Sequence, residues 1–435
     1  MNFRDNSNIE YRKLDAPLKF INKNYITIGD KDREKYSKIL ADILEAFRRK
    51  MAESDEVYKT FEGAVHYTGS AYDKVKVGKP DEFDLNIVMK LPAAWDYHND
   101  IEVKNSSPSY VTINVKSGCE RSYRDPSFLN KYQKGIRIWT DNEGYFIQEQ
   151  FHAWMEGVVK KALNKFPSHG LEYIIQTNGH AIYVKTKKSG PAVTLQCESQ
   201  DRKIKIDVDL VPVIQFNNNS STLWLSPPVR QRPLLCCKKT WCAVPKPKKN
   251  NGFTNKNREW RVSFTDQERD LLYNKGRIKN LIRQIKKLKS VHEETKSLPS
   301  YYVKTIFLWA LDDKSLDQNM WTQWSDGALF MFMLKRLHSH LDENKIPYYW
   351  DSRCNLLDAL GYAVNNMKYK IQRIIKEIDN SLDNPEVLAK YLLTADEFAD
   401  FRRRYGSIEE GFESLSIDSA PPVSDLRGDS RCCIL

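Results

Sequence analysis

The sequence predicts an α+β lobe followed by a helical lobe, on three observations. Apolar side chains recur at helical spacing over residues 33–51, as Tyr36, Ile39, Leu40, Ile43, Leu44 and Phe47, and predict a long amphipathic helix. Short β-type runs bounded by turn residues follow from about residue 83 to 215. From about residue 266 the chain has the pattern of successive helices, and 435 residues suffice for two packed lobes.

The individual elements set the predicted boundaries. Strands are expected near 83–90, 110–116, 136–139, 172–176, 180–186, 192–197 and 203–215, with one helix near 145–164. Helices are expected over DQERDLLYNKGRIKNLIRQIKKLK, SYYVKTIFLWAL, ALFMFMLKRLHSHL and NLLDALGYAVNNMKYKIQRIIKEI. We therefore predict an N-terminal segment 1–32, a first lobe 33–265, a helical lobe 266–412, and a tail 413–435 that is too polar to pack.

Composition narrows the class of protein. No stretch approaches the roughly 20 apolar residues that span a bilayer, and MNFRDNSNIEYRK has no signal-peptide core, so we expect a cytoplasmic protein. The eight cysteines follow no framework spacing and are expected to be free thiols. The 68 basic residues exceed the 57 acidic ones, for a net charge of +11, which favours a polyanionic partner.

Two predicted strands carry pairs of carboxylates on one face. Because side chains alternate along a strand, EFDLNIV places Glu82 and Asp84 together, and KIKIDVDL places Asp207 and Asp209 together. Neighbouring strands of this kind would gather acids whose repulsion is costly unless cations lie between them. Oxygen donors suit Mg²⁺ or Mn²⁺, and two such ions roughly 4 Å apart support nucleotidyl transfer. The alternative is two solvated strand faces that bear acids and bind nothing.

A short polar turn precedes the first acidic strand. Glycine at Gly69 permits close approach of the backbone to phosphate, and the hydroxyls of Thr68 and Ser70 can bond phosphate oxygens. A Gly-Ser pair alone is a weak signal. Followed by an acid-x-acid strand and by a third acid on a later strand, it favours nucleotidyl transfer over solvated strands.

The stretch TGSAYDKVKVGKPDEFDL resembles the activation-loop and metal-binding segment of cyclic GMP-AMP synthase (cGAS) and the cGAS-like receptors, within the nucleotidyltransferase superfamily. The resemblance continues in order through SGPAVTLQ, KIKIDVDL, VPKPKKNNGF, EWRVSF and SYYVKT, and covers roughly residues 30–400. It implies a bilobal nucleotidyltransferase fold, with a mixed β-sheet catalytic lobe, a long N-terminal spine helix and a helical C-terminal lobe. The implied function is nucleic-acid-activated synthesis of a cyclic dinucleotide, cyclic GMP-AMP, from ATP and GTP in innate immune sensing.

The resemblance also implies roles for single residues. Glu82, Asp84 and Asp207 are expected to bind two Mg²⁺ or Mn²⁺ ions, and Asp207 to help activate the attacking hydroxyl, whereas Asp209 does not match the family's third acid. Without the resemblance we would interpret Tyr301 as a core residue. The residues expected to contact nucleotides are Thr68, Gly69, Ser70, Lys246, Arg261, Ser263, Thr265, Glu268, Lys279, Ser300, Tyr301 and Lys304.

The chain departs from vertebrate cGAS where that protein carries a zinc-binding thumb. The connection ERDLLYNKGRIKN contains neither Cys nor His, so no structural zinc is expected. Invertebrate receptors without the thumb include sensors of double-stranded RNA, which we expect as the activating ligand in preference to DNA. A duplex recognised by shape and phosphate needs a distributed basic surface. Its candidate residues are Lys35, Lys38, Arg48, Arg49, Lys160, Lys161, Lys238, Lys239, Lys248 and Lys249.

The last four residues, from Cys432 to Leu435, fit a prenylation signal that would lipidate Cys432 and attach the protein to a membrane. Two other functions remain open. One is synthesis of linear oligonucleotides, as in 2-5A synthetases, and the other is a catalytically silent binding or developmental relative. Three acids together with Gly69 and Ser70 argue against the silent relative, because repelling carboxylates are costly in a scaffold.

Overall fold

The computed structural model describes residues 5–91, 100–116, 126–217, 240–246 and 256–417. These residues form a large mixed β-sheet with flanking helices, followed by a lobe built of helices, which confirms the predicted α+β class. Within these ranges, none of the helices combines the length and the apolar composition that crossing a membrane requires.

Four helices precede the first strand. They are α1 (Asp5–Tyr11), α2 (Asp15–Ile21), α3 (Asp30–Ser54) and α4 (Glu56–Phe61), with a 3-10 turn at Arg12–Leu14 and a π turn at Asn22–Ile26. Helix α3 is the predicted spine helix and is longer than predicted at both ends. Its buried stripe contains the predicted apolar residues from Ile39 to Phe47 and adds Met51, so the 3.6-residue period identified the core face correctly.

One sheet contains all strands of the described residues. They are β1 (Glu62–Thr68), β2 (Glu82–Met89), β3 (Ile101–Ser107), β4 (Tyr110–Val115), β5 (Ser168–His169), β6 (Glu172–Thr177), β7 (His180–Ser189), β8 (Ala192–Ser199), β9 (Lys205–Asn217), β10 (Thr240–Val244) and β11 (Glu259–Ser263). The order is β3-β4-β11-β10-β9-β8-β7-β6-β5, and β2 joins β9 on one side and β1 on the other. The β2–β9 pair is parallel, and the other described pairs are antiparallel.

Helices connect the strands and then form the second lobe. Between strands lie α5 (Gly69–Tyr72), α6 (Pro126–Trp139) and α7 (Gln148–Leu163). The second lobe contains α8 (Thr265–Leu271), α9 (Gly276–Val291), α10 (Glu293–Lys296), α11 (Ser300–Asp312), α12 (Met320–Gln323), α13 (Asp326–Asp342), α14 (Ala363–Asp379), α15 (Pro385–Leu392) and α16 (Ala395–Ile417), with a 3-10 turn at Leu356–Ala359.

The N-terminal segment packs on this second lobe. Helices α1 and α14 both contact α13, and a β-carbon at Gly327 would lie 2.0 Å from the carbonyl oxygen of Tyr11, so only glycine allows this approach. The Tyr11 hydroxyl donates to Asp379 at 2.7 Å. The N-terminal segment therefore fixes the outer face of the helical lobe.

The prediction of a strand at 136–139 is wrong, because these residues end helix α6. The alternation of isoleucines there fits a strand, but Tyr132 and Trp139 lie on one helical face and both pack edge-on against Phe61, with ring centroids 4.6 Å away. Tertiary packing therefore overrides the local β propensity.

Other predicted boundaries also change. The helix predicted over DQERDLLYNKGRIKNLIRQIKKLK is two helices, α8 and α9, separated near Asn274, whose φ of 54° is a left-handed conformation that ends a helix. The segment that begins NLLDALG is a 3-10 turn followed by α14. Strands β1, β3, β5, β10 and β11 lie outside the predicted strands.

Candidate active site

The parallel pairing of β2 with β9 brings four carboxylates together. Glu82 lies opposite Asp207 in the register, and Asp84 lies opposite Asp209. The residues between them, such as Phe83 on β2, are buried in the core on the opposite face. We call the four carboxylates the acidic edge; it contains the three predicted metal ligands and the additional Asp209.

Two aspartates of the acidic edge are hard to ionise. Burial raises the pKa of Asp84 to about 6, and the charges of Glu82 and Asp209 contribute in the same direction. Burial also raises the pKa of Asp207, followed by the charges of Asp209 and Glu82. No described lysine or arginine forms an ion pair with Asp84, Asp207 or Asp209. Three of the four carboxylates of the acidic edge are therefore without an ion-pair partner among the described residues.

Glu82 differs from the other three acids because it has a partner. Its carboxylate lies 2.7 Å from the ammonium of Lys76, which also lies 3.3 Å from Asp81. In the part of the chain that the structure describes, no three His, Cys, Asp or Glu side chains are gathered closely enough to hold a metal ion. In this conformation Lys76 supplies the cation at Glu82.

A tight turn at the end of β1 lies against Asp84. Gly69 has a φ of 71°, and a β-carbon there would lie 1.7 Å from Oδ2 of Asp84, so no other residue fits. The Thr68 hydroxyl donates to the carbonyl oxygen of Asp84 at 3.1 Å, and the amide of Asp73 donates to the carbonyl of Gly69 at 3.1 Å. We call residues 68–73 the catalytic turn. It places Ser70 beside the acidic edge, as the sequence predicts for a phosphate-binding turn.

Aromatic rings and a guanidinium lie close together beside β11. Arg261 on β11 lies over the ring of Tyr348, 4.2 Å from its centroid, and the rings of Tyr348 and Tyr301 are 6.3 Å apart. Lys246 follows β10, whose Val244 lies opposite Arg261. Planar groups of this kind can stack on a nucleobase.

The other predicted nucleotide contacts lie at element starts. Ser263 ends β11, Thr265 begins α8, and Ser300 begins α11; all three are partly exposed.

Lys304 and Glu268, both predicted to contact nucleotides, are paired in the interior. The Lys304 ammonium lies 2.9 Å from Glu268 and 2.5 Å from Asp73. Glu268 also accepts hydrogen bonds from Tyr301 at 2.7 Å and from Trp350 at 2.9 Å. Burial alone would lower the pKa of Lys304, but the charges of Glu268 and Asp73 outweigh it and raise the pKa. We call Asp73, Lys304 and Glu268 the buried charge network.

Cations of α9 face the chain that follows the catalytic turn. Lys286 donates to the carbonyl of Val75 at 2.7 Å, and burial, followed by the charge of Lys76, lowers its pKa to about 8. Burial lowers the pKa of Lys279, and the charge of Lys74 lowers it further. Lysines that are costly to keep charged favour an anionic ligand, which agrees with the predicted phosphate contact at Lys279.

The candidate nucleic-acid contacts fall into two groups. Arg48 is bound to Glu62 at 2.7 Å and is committed to that ion pair, and Lys161 pairs with Asp55 at 2.9 Å. Lys35, Lys38, Arg49 and Lys160 are all exposed. Exposed ion pairs exchange partners at little cost. The remaining candidates, Lys238, Lys239, Lys248 and Lys249, lie outside the described residues, as does Cys432.

Sequence reasoning missed residues whose role depends on tertiary contacts. Asp73 and Lys76 lie in a lysine-rich loop, where charge alone indicates solvent exposure, and Arg269 resembles a surface residue of a polar helix. The closeness of Asp73 to the Gly-Ser turn was the only available signal. Tyr348 and Trp350 lie in a segment for which we predicted no element.

These observations define the class of protein. A glycine turn against an acidic strand, a further acidic strand beside it, and a helical lobe that closes the site are the parts of a nucleotidyltransferase. Residues 71–274 match the Mab-21 protein nucleotidyltransferase domain, and residues 277–378 match the Mab-21 protein HhH/H2TH-like domain.

Curated relatives narrow the class further. The chain is 33% identical over 404 residues to a cyclic GMP-AMP synthase-like receptor of Tribolium castaneum, which covers 92% of this chain and 96% of the relative. It is 31% identical over 410 residues to one of Microplitis demolitor, with 93% and 72% covered, and 30% identical over 392 residues to one of Aethina tumida, with 89% and 93% covered. The chain belongs to the family of cyclic GMP-AMP synthase-like receptors.

Nucleotidyltransferases of this kind generally use divalent metal ions, and the acidic edge offers donors of the type that such ions bind, although in this conformation the described side chains are not gathered closely enough to hold one. Its donors are carboxylate oxygens, the type that Mg²⁺ and Mn²⁺ prefer. The raised pKa values of Asp84 and Asp207 show that the pocket disfavours their charge, so a cation there would relieve repulsion.

Proposed function

We propose that this enzyme joins ATP and GTP into a cyclic dinucleotide, cyclic GMP-AMP, when double-stranded RNA binds to it. The observation that carries the chemistry is the catalytic turn against the acidic edge, with Gly69 in contact with Asp84. The names of the curated relatives support the product. Glu82, Asp84 and Asp207 are the proposed ligands of two Mg²⁺ or Mn²⁺ ions.

The chain's own groups would act as follows. The hydroxyl of Ser70 and the backbone of the catalytic turn bond phosphate oxygens, which orients the α-phosphate beside Asp84. Asp207 Oδ accepts the proton of the attacking ribose hydroxyl, since partial desolvation and the charges of Asp209 and Glu82 raise its pKa and make it a stronger base. When bound, the divalent ions stabilise negative charge on the attacking and departing oxygens. The ribose oxygen bonds the α-phosphorus of the other nucleotide as pyrophosphate leaves, and a second transfer of the same kind on the linear product releases a second pyrophosphate and closes the ring.

The RNA part of the proposal rests on charge. The net charge is +11, and exposed cations lie on α3 and α7, among them Lys35, Arg49 and Lys160. These helices pack against each other, and Phe47 stacks on Phe166 between them. A continuous pair of helices with exposed cations suits a duplex phosphate backbone.

The test of the proposed function is product analysis. Purified protein is incubated with ATP, GTP and Mg²⁺ or Mn²⁺, with double-stranded RNA, with double-stranded DNA or with neither, and the products are resolved by mass. We expect a cyclic dinucleotide that depends on RNA and is absent for Asp207→Asn. A ladder of linear oligomers would favour the synthetase alternative. No product under any condition, with wild type and Asp207→Asn alike, would contradict the enzyme.

The RNA surface has a separate test. Lys160→Glu should raise the Kd for a short RNA duplex several-fold and reduce its salt dependence, because one phosphate contact is lost. Lys345→Glu makes the same charge change in an exposed loop after α13 and should have a smaller effect. Equal effects of both variants, or activation by DNA alone, would contradict this surface as the RNA site.

A further inference from the structure

Cations of α8 and α11 hold the catalytic turn at both of its ends. Tyr67, the residue before the turn, accepts a hydrogen bond at its carbonyl oxygen from Arg269. Asp73, the last residue of the turn, lies 2.5 Å from Lys304 and 3.8 Å from Nε of the same Arg269. Arg269 therefore spans the turn from its entry to its exit, and Lys304 fixes the exit a second time.

The contacts of Lys304 are buried, which makes them geometrically restrictive. Asp73 is 6% exposed, Lys304 7% and Glu268 3%. Charges shielded from water attract each other strongly at short range and tolerate little displacement. An exposed ion pair of the same length could rearrange freely, whereas this one ties the position of Asp73 to helix α11.

The turn itself is tight enough to transmit that position. The amide of Asp73 donates to the carbonyl of Gly69 at 3.1 Å, and the amide of Val75 donates to the carbonyl of Ser70 at 2.9 Å. Gly69 in turn touches Asp84, where an added β-carbon would lie 1.7 Å from its carboxylate. A displacement of Asp73 therefore moves Gly69 and Ser70 relative to the acidic edge.

We propose that Asp73 and Arg269 are positioning residues for nucleotidyl transfer, which hold Ser70 and the backbone of Gly69 at a fixed distance from Asp84. This inference rests on the proposed function in one respect, because nucleotidyl transfer is one of the two measurements that test it. Neither residue contacts a reacting atom in this role; both act through the catalytic turn. Because Lys304 also binds Glu268, which accepts from Tyr301, the turn is connected to the predicted base-binding side of the site.

The chain offers a matched control. Lys287 on α9 is a buried lysine whose ammonium lies 2.7 Å from both carboxylate oxygens of Glu397 on α16. Glu397→Gln thus removes the carboxylate partner of a buried lysine of the helical lobe, as Asp73→Asn does. The described contacts of Glu397 include no residue of the catalytic turn.

The first measurement is amide hydrogen exchange of the full-length protein without nucleotides, followed in peptides that cover residues 66–80. In Asp73→Asn and Arg269→Met, exchange in these peptides should be at least about tenfold faster than in wild type, because the turn opens locally. Glu397→Gln should leave these peptides unchanged. Unchanged exchange in both turn variants overturns the proposal, whether or not the protein makes any product.

The second measurement separates positioning from stability. With ATP, GTP, Mn²⁺ and activating RNA, Asp73→Asn and Arg269→Met should lower kcat for pyrophosphate release about ten- to a hundredfold, since small misplacements are costly to transfer, with KM within threefold of wild type. Glu397→Gln should retain wild-type kcat even if its thermal midpoint falls equally. A loss of thermal midpoint in the turn variants with unchanged kcat would assign Asp73 and Arg269 to stability alone and overturn the proposal.

Discussion

Carboxylates gather in two adjoining parts of this molecule, and the two parts differ in how their charge is balanced. In the buried charge network, Lys304 lies between Asp73 and Glu268, within 2.5 and 2.9 Å. At the acidic edge, the partly buried Asp84 has no ion pair among the described residues, and its pKa rises to about 6. The first arrangement is complete within the protein.

The difference in charge balance distinguishes carboxylates with a structural role from carboxylates with a proposed role in the reaction. A carboxylate that a lysine already neutralises has no need of a ligand, and its role is to hold elements together. A carboxylate that remains costly to ionise is suited to bind a cation from outside or to accept a proton. The four predictions below test this distinction, from the largest expected effect to the smallest.

Asp84→Asn should lower transfer at least about a thousandfold, because it removes a proposed metal ligand. The same variant should be more stable than wild type at pH 7.5 in EDTA. A pKa raised from 3.8 to about 6 means that ionised Asp84 costs the folded state up to about 3 kcal/mol. Activity assays and thermal unfolding of both proteins check the two halves.

The pH dependence of the stability gained by Asp84→Asn provides the control for this prediction. Because the folded pKa is raised, the stability contributed by protonated Asp84 is present below its ordinary pKa and is lost as the pH rises through about 6. The difference between Asp84→Asn and wild type should therefore shrink as the pH falls from 7.5 towards 4. A constant difference over this range would contradict the uncompensated charge at the acidic edge.

Asp207→Asn and Asp209→Asn should differ in effect although the two residues are neighbours on β9. Asp207 is the proposed third ligand and proton acceptor, so kcat should fall about a hundred- to a thousandfold. Asp209 accepts a hydrogen bond from Thr194, which an amide oxygen can also accept, so its variant should lose less than about tenfold. Steady-state kinetics with Mn²⁺ compares the two variants. Equal losses of kcat would show that Asp209 contributes to the reaction as much as Asp207 does.

Gly69→Ala should lower kcat about a hundredfold, because the added methyl group would displace the catalytic turn from Asp84. Gly190→Ala is the control. Gly190 also has a positive φ, of 57°, but nothing lies within 4 Å of its added β-carbon. Both variants should lose about 1–2 kcal/mol of unfolding free energy from backbone strain, and only Gly69→Ala should lose activity. Similar kcat values for both would argue against a close contact at Asp84.

Lys76→Met should lower the Mn²⁺ concentration for half-maximal activity about two- to fivefold, since Lys76 competes for Glu82 at 2.7 Å. Lys79→Met removes an exposed lysine three residues away in the same loop and should have no such effect. A metal titration of initial rates distinguishes them. If both variants titrate like wild type, Lys76 does not occupy the cation position in solution.

The sequence predicts those features that depend on the spacing of apolar and acidic side chains within one element. The stripe of α3 and the acid pairs of β2 and β9 follow from spacings of 3.6 and 2, and the register of the pair then aligns the acids. The same reasoning failed for residues 136–139. Ile136 and Ile138 fit a strand pattern as well as a helical one, and the contact of Trp139 with Phe61 favours the helix.

Contacts between residues that are far apart in the sequence could not be predicted from periodicity. That Asp73 would meet Lys304, 231 residues later, depends on how the two lobes pack against each other. The sequence patterns of the lysine-rich loop and of the apolar helix do not indicate this contact. The resemblance to a family named Lys304 and Glu268 as site residues, and the structure adds that they bind each other.

The pairing of β2 with β9 also has a consequence for the order of events in synthesis. Strand β9 leaves the ribosome long after β2, and the two can pair only when the intervening helices and hairpins have been made. Until then Glu82 and Asp84 lack the two aspartates of β9, and a nascent or truncated chain that stops before residue 205 contains no acidic edge. Premature termination in this region therefore gives an inert fragment rather than a deregulated enzyme.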